Sequence, residues 1–214
     1  MDEASKTLTL YPELLSQVLN RGRVLDIGAG VDPVTKNAVV FDKAEGDAQE
    51  IQNFFEKESF EVVFSSHCLE HMVDPRGAIQ NWFSLVKPGG HLITIVPDED
   101  LYEQGHFPSI FNSDHKSTFT ISKSASWSPV SINCLELFKS LDGNIVYLEQ
   151  QSDNYVYSLQ SHNKLGLLRF RLGRILISFR SFKTFATRLR LVPIDQTAVK
   201  DLTLAQICII FRKS

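Results

Sequence analysis

Continuous apolar runs, separated by polar and turn-rich stretches, set the first half of this chain. RVLDIG (Arg23–Gly28), AVVFD (Ala38–Asp42), FEVVFSS (Phe60–Ser66) and HLITIVP (His91–Pro97) each read as a buried strand. Runs that are apolar at nearly every position suit a parallel sheet covered on both faces. Between the last two, a helix is predicted. Asp74 caps it, Pro75 fits its first turn, and Ile79, Trp82, Phe83 and Val86 recur at helical spacing. KPGG (Lys87–Gly90) is expected to end it. A further helix is expected from near Ser131, carrying Leu135, Leu137 and Phe138. DGNIVYLE (Asp142–Glu149) then reads as turn and strand, and AQICIIFRK (Ala205–Lys213) as a closing strand. The alternation predicts an α/β fold.

Two segments break the alternation. Residues 98–130 are polar and aromatic with little periodicity. Residues 164–191 are basic and apolar, with eight lysines or arginines and no acid. Both read as insertions in a single domain spanning 1–214, the first a substrate loop at about 98–130, the second lying within about 150–204.

Composition narrows the class. A chain of 214 residues can bury one sizeable core. Its 43% hydrophobic and 22% charged residues are ordinary for a soluble globular protein. A net charge of −3 argues against a nucleic-acid binder. Cys68, Cys134 and Cys208 are widely spaced and odd in number, so they suggest neither a disulfide framework nor a metal knuckle. A reducing cytoplasm is the expected setting. The N-terminal stretch lacks the apolar core of a signal peptide, and no run has the length of a membrane span.

The stretch VLDIGAGVDP (Val24–Pro33) carries the chemistry. A strand leads into Gly28-x-Gly30, as in a dinucleotide site, where a helix N-terminus then holds the pyrophosphate. Only eleven residues separate Gly30 from Asp42, and Pro33 steers Asp32 away from helical geometry. A pyrophosphate cradle is therefore not expected. The two glycines still permit close approach of a ligand to the backbone, and Asp42, at the end of the second strand, can accept from two ribose hydroxyls. A nucleoside cofactor without phosphates, such as S-adenosylmethionine, fits both features.

The ordered pieces VLDIGAG, VVFDK, GDAQEI, FEVVFSSHCLEHMVDP and LVKPGGHLITIVP resemble the class I S-adenosylmethionine-dependent methyltransferases, notably the group with small-molecule and sugar methylating members. The resemblance runs from about Val24 to Pro97. It implies a Rossmann-like, doubly wound, mostly parallel sheet with an antiparallel C-terminal strand, to which the lid and the basic helical segment are added. It also implies site residues. Asp26, Gly28, Ala29 and Gly30 would line the methionine end of the cofactor. Asp42, with Lys43 beside it, would hold the ribose. Asp47 and Ala48 would meet the adenine, and Ser66 and His67 would lie near the sulfonium. The third glycine of the family pattern is missing here. Glu70 and His71 read as capping or orienting the helix region.

Methylation of a hydroxyl benefits from a general base. The expected site lies beyond the carboxyl ends of the strands, where residues 97–120 offer candidates. His106 and His115 are the leading bases, with Asp98 and Asp114 as orienting groups. No metal is assigned, although Asp98, Asp114 and His115 form a set that could hold a divalent ion. The expected acceptor is a small molecule, a sugar or a lipid-linked compound, methylated at oxygen. The basic segment has three readings: a helical insertion on the core, a peripheral contact with an anionic membrane face, or a site for an anionic substrate. Two other functional classes compete, a catalytically silent assembly partner and a dehydrogenase, the latter disfavoured by the absent phosphate-binding helix.

Overall fold

The apolar runs become the strands of one central sheet. The computed structural model describes residues 3–160 and 193–214. Its strands are β1 (Val24–Ile27), β2 (Val39–Phe41), β3 (Phe60–Ser66), β4 (Val86–Pro97), β5 (Thr118–Thr120), β6 (Ser131–Asn133), β7 (Gly143–Gln151) and β8 (Gln206–Lys213). Six of them form the main sheet in the order β2-β1-β3-β4-β8-β7. β1 to β4 are parallel. β8 runs antiparallel to both β4 and β7, so it alone points the other way. β5 and β6 form a separate parallel pair. The architecture is the Rossmann-like α/β sheet with an antiparallel C-terminal strand.

Alternation of side chains sends the strands' apolar residues to two opposite cores. Val62 and Phe64 of β3, Ile93 and Ile95 of β4, and Cys208 and Ile210 of β8 pack under α2 (Pro12–Leu19) through Leu15, Val18 and Leu19. Val63, Leu92, Val96, Ile207 and Ile209 pack on the other side with Ala78, Ile79 and Trp82 of α3 (Pro75–Ser84). Each fully buried large side chain contributes roughly 1.5–3 kcal/mol. Sheet faces covered on both sides explain why the strands read as continuous apolar runs.

Asp74 caps α3 as expected, its Oδ1 accepting the N–H groups of Arg76 at 3.1 Å and Gly77 at 3.0 Å, with Pro75 in the first turn. Three expectations are corrected. KPGG does not terminate the helix, which closes at Ser84; it is looped out within β4, because Phe60 pairs with Val86 and Val62 with His91. Val86 is accordingly a buried strand residue rather than part of the helical face. Ser131 starts β6, and the helix α4 (Cys134–Phe138) begins after it, capped by Asn133. The hydrophobic pattern does not announce α1 (Glu3–Leu10), which is mostly polar and weakly periodic, or α2. The last helix described is α5 (Gln196–Val199).

All three cysteines are buried free thiols. Among the described residues no helix is long and apolar enough to cross a membrane. The basic run 164–191 lies outside the described residues.

Candidate active site

The glycine loop leaves β1 in left-handed backbone geometry, at φ +78° for Gly28 and +56° for Gly30. At Gly28 a Cβ would meet the Cys68 Cβ at 2.8 Å, so the loop and the end of β3 approach as only glycine allows. No helix forms between β1 and β2. The chain turns instead, with the Asp32 N–H donating to the Ala29 carbonyl at 3.1 Å. The Asp32 carboxylate accepts the Ser5 N–H at 3.0 Å and hydroxyl at 2.7 Å, tying α1 to the loop. Buried Asp26 accepts the Val34 N–H at 2.6 Å from the other side. Burial pushes the Asp26 carboxyl up to about 7, against that hydrogen bond.

Asp42 bridges two backbone donors. Its Oδ2 accepts the Gly30 N–H at 2.7 Å and its Oδ1 the Lys43 N–H at 2.6 Å. A carboxylate has about four lone-pair sites, so each oxygen retains one for a ligand. Asp47 caps the short 3-10 helix Ala48–Asn53 by accepting the Gln49 N–H at 2.9 Å. The Ala48 carbonyl accepts the Trp82 indole N–H at 2.8 Å, which fixes that helix against α3. Gly28, Asp42, Lys43, Asp47 and Ala48 line one cavity of about 780 Å³.

A second cavity of about 670 Å³ is lined by Asp26, Gly30, Ser66, Tyr102 and His115, among others. Glu3 and Lys6 of α1 and Thr197 of α5 close it. Lys6 donates to the Thr197 carbonyl at 2.8 Å and to Glu3 at 2.7 Å, so the two helices are joined across the top. Gly28, His67 and His71 line both cavities, making one two-lobed cleft.

The junction is built from the end of β3. His67 adopts a left-handed φ of +51° there. Its Nε2 lies 3.1 Å from the Gln206 Oε1. Gln206 donates its amide to Thr7 at 2.9 Å and to Gln151 at 2.7 Å. Its oxygen must then accept, so the His67 Nε2 carries the proton and Nδ1 the lone pair. The turn Leu69–His71 follows, and the Glu70 carbonyl accepts the Lys116 N–H at 2.8 Å, holding the returning 97–120 loop beside it. His115 is thereby buried next to Glu70 and hydrogen-bonds through Nδ1 to Glu103 Oε1 at 2.6 Å. His71 Nδ1 sits 3.1 Å from Asp114 Oδ2. Glu70 is completely buried and neither carboxylate oxygen has a hydrogen-bond partner. Burial pushes its carboxyl up to about 7, with His67 acting the other way.

The four candidate catalytic groups separate. His115 lines the second cavity and Asp114 the first. His106 and Asp98 line neither. Asp98 instead accepts the N–H groups of Asp100 and Leu101, each at 3.0 Å, fixing the turn after β4. Asp98, Asp114 and His115 are therefore not a single metal-binding set. Glu70 is not a capping group either: neither of its carboxylate oxygens has a hydrogen-bond partner. Glu103 and Tyr102, beside His115, carry no individual signal in the sequence; only the spacing His67-x-x-Glu70-His71 marks this junction locally. The polar loop is packed rather than loose. Glu99, fully buried, accepts from Lys123, Ser126, Thr118 and Ser131.

Residues 4–127 match the family profile described as a methyltransferase domain. The chain belongs to this methyltransferase family. Among solved structures it is similar to a candidate methyltransferase from Bacillus halodurans C-125, with a TM-score of 0.54, 14% identity, and 99% of this chain and 98% of that one covered. The YcgJ protein of Bacillus subtilis gives a TM-score of 0.53 at 15% identity, with 99% of each chain covered. A SAM-dependent methyltransferase from Thermotoga maritima gives 0.51 at 13% identity, with both chains fully covered. No curated protein matches the sequence. S-adenosylmethionine is the cofactor named for the Thermotoga maritima protein, and it is the one that this chain's own motifs imply. The cleft fits that molecule physically. A backbone opened by two left-handed glycines, with no Cβ contact within 4 Å at Gly30, adjoins a carboxylate with spare lone pairs.

Proposed function

We propose that the protein transfers a methyl group from S-adenosylmethionine to a hydroxyl of a small-molecule, glycan or lipid-linked acceptor. The observation that carries the reading is the continuity of the cleft. The lobe lined by Gly28, Asp42 and Asp47 opens onto a lobe lined by buried Glu70 and His115 and half-buried His71. Bound there, the cofactor supplies an electrophilic methyl on a sulfonium, and catalysis rests on alignment.

The chain's own residues divide the work. Asp42 takes the ribose hydroxyls, with Lys43 at its side, and Asp47 and Ala48 meet the base. Asp26, Gly28, Ala29 and Gly30 line the amino-acid end, and Ser66 and His67 stand by the sulfonium. Glu103 on Nδ1 leaves the other nitrogen of His115 with its lone pair, 3.9 Å from Glu70 Oε1 in the lining of the acceptor lobe. Of the four candidate groups His115 is best placed to polarise a hydroxyl, with Asp114 orienting His71. An amine acceptor needs only a lost proton, whereas a hydroxyl needs this kind of help; the imidazole–carboxylate lining is therefore the reason to favour oxygen. The basic run 164–191 is the reason to include lipid-linked acceptors.

Release of S-adenosylhomocysteine with a panel of free sugars, lipid-linked glycans, small alcohols and amines tests the reading. Turnover with a hydroxyl acceptor, lost in His115→Ala, is expected. Turnover confined to amines overturns the oxygen assignment. Cofactor binding without turnover on any acceptor would favour the silent assembly partner.

A further inference from the structure

We propose that Glu70, His71 and His115 bind a divalent transition-metal ion where the two lobes of the cleft meet. Three donor atoms, one from each residue, lie within 4.8 Å of one another. Glu70 Oε1 is 3.9 Å from His71 Nε2 and 3.9 Å from His115 Nε2. Those separations are too long for hydrogen bonds. They are close to the roughly 3.3–3.5 Å that separates ligands bonded at about 2.0–2.2 Å to a tetrahedral ion. A contraction of about half an ångström in each of these separations, with the two imidazoles drawing together from within 4.8 Å, would complete the set.

The second observation is Glu70 itself. Its carboxylate is fully buried, neither oxygen has a hydrogen-bond partner, and it faces imidazole nitrogens. A buried charge without partners is expensive unless a cation compensates it. Glu99 provides the contrast within the same protein, a buried carboxylate surrounded by four side-chain donors.

The outer contacts point the same way. His115 has Nδ1 on the Glu103 carboxylate at 2.6 Å, and His71 has Nδ1 on the Asp114 backbone carbonyl at 3.3 Å. A carboxylate or carbonyl oxygen on one ring nitrogen leaves the lone pair on the other, the arrangement found behind metal-bound histidines. His67 adds a further nitrogen. With its Nε2 proton committed to Gln206, its Nδ1 lone pair lies 3.7 Å from Glu70 Oε1. Two imidazoles and one carboxylate suit zinc, cobalt, manganese or iron better than magnesium or calcium, which favour all-oxygen shells. Because all three ligands line the acceptor lobe, an open coordination position there would take the acceptor oxygen and make its proton easier to lose. That use rests on the methyl-transfer reading; the ion site does not.

The decisive experiment takes the full chain, stripped with a chelator, and titrates it with Co²⁺ and, by calorimetry, with Zn²⁺. A saturable visible absorption band and a stoichiometry of one are expected for the wild type and for His106→Ala. Glu70→Gln and His71→Ala should each weaken Co²⁺ binding at least tenfold, and Glu103→Gln, a positioning change, by roughly 10–100-fold. His71 is partly exposed, so its variant is expected to fold, which circular dichroism checks. Absence of a saturable Co²⁺ band and Zn²⁺ heat in the wild type overturns the site. So does undiminished binding in folded His71→Ala and Glu70→Gln. Titration of the same stripped protein with S-adenosylmethionine separates the two proposals. Metal binding without cofactor binding would keep the ion site and remove the methyl-transfer reading of the cleft.

Discussion

The Asp42 carboxylate accepts the Gly30 N–H at 2.7 Å, joining the end of β2 to the glycine loop through one side chain. The contact makes Asp42 both a ligand group and a brace. Asp42→Ala is expected to weaken S-adenosylmethionine binding by more than a lost ribose contact alone. Hydrogen bonds to a charged group are each worth about 1.5–3 kcal/mol, so one lost ribose contact alone raises Kd roughly 10- to 150-fold, and the lost brace on Gly30 should carry the rise measured by calorimetry to the top of that range or beyond. Asp42→Asn keeps one accepting oxygen and should fall between.

The two loop glycines should respond differently to alanine. Both have positive φ, which costs a residue with a Cβ about 1–2 kcal/mol. At Gly28 the added Cβ also meets Cys68 at 2.8 Å, whereas at Gly30 nothing lies within 4 Å. Urea unfolding should therefore show Gly28→Ala as the more destabilised, by about a further 1–3 kcal/mol of overpacking. Equal losses would mean that the backbone term alone decides.

Asp26 predicts a pH dependence of unusual sign. Its folded pKa, about 7, lies above the unfolded value of 3.8, because burial disfavours the charge. Between those values the folded state binds more protons than the unfolded one, so this group's contribution to stability falls as pH rises. The penalty is absent below about pH 4 and complete above about pH 7. Asp26→Asn can retain the Val34 hydrogen bond and removes the titration. Relative to the wild type, its urea midpoint should improve from about pH 4 to about pH 7 and then level off; a constant difference would refute the assignment.

Asp74 holds the first turn of α3, and its replacement probes local structure. Asp74→Ala removes a side-chain cap on Arg76 and Gly77 and should cost about 1 kcal/mol. Because Asp74 also exchanges backbone contacts with the Gln49 side chain, part of the loss should appear in the wall of the first cavity. A lower affinity for adenosine in the variant would register it.

How far the sequence carries depends on whether the deciding interaction is local. β3 runs from Phe60 to Ser66, the bounds its apolar run suggests, because a central strand buried on both faces tolerates few polar interruptions. Asp74 and Pro75 announce α3 within two residues. The turn at Asp32–Pro33 and the missing crossover helix follow from the short path to Asp42. KPGG looks like a helix stop but is a bulge, since the register of β3 on β4 is set across the sheet. Glu70 illustrates the limit most clearly. Read beside His71 it looks like a capping acid. Only the fold brings Glu103 and His115 from the loop after β4 and shows that the carboxylate is buried without donors. α1 escapes for a related reason, as its Lys6 is buried against Thr197 from the far end of the chain.

The Lys6–Thr197 contact also bears on synthesis. The roof over the acceptor lobe joins residues 191 positions apart, and β8 lies between β4 and β7. A nascent chain released as far as β7 holds the glycine loop and Asp42 but lacks both the strand beside β4 and the α5 half of the roof. Ligand-binding competence therefore arrives late, only after β8 has followed Thr197 out of the ribosome, and a truncation before Thr197 would leave the cleft unroofed.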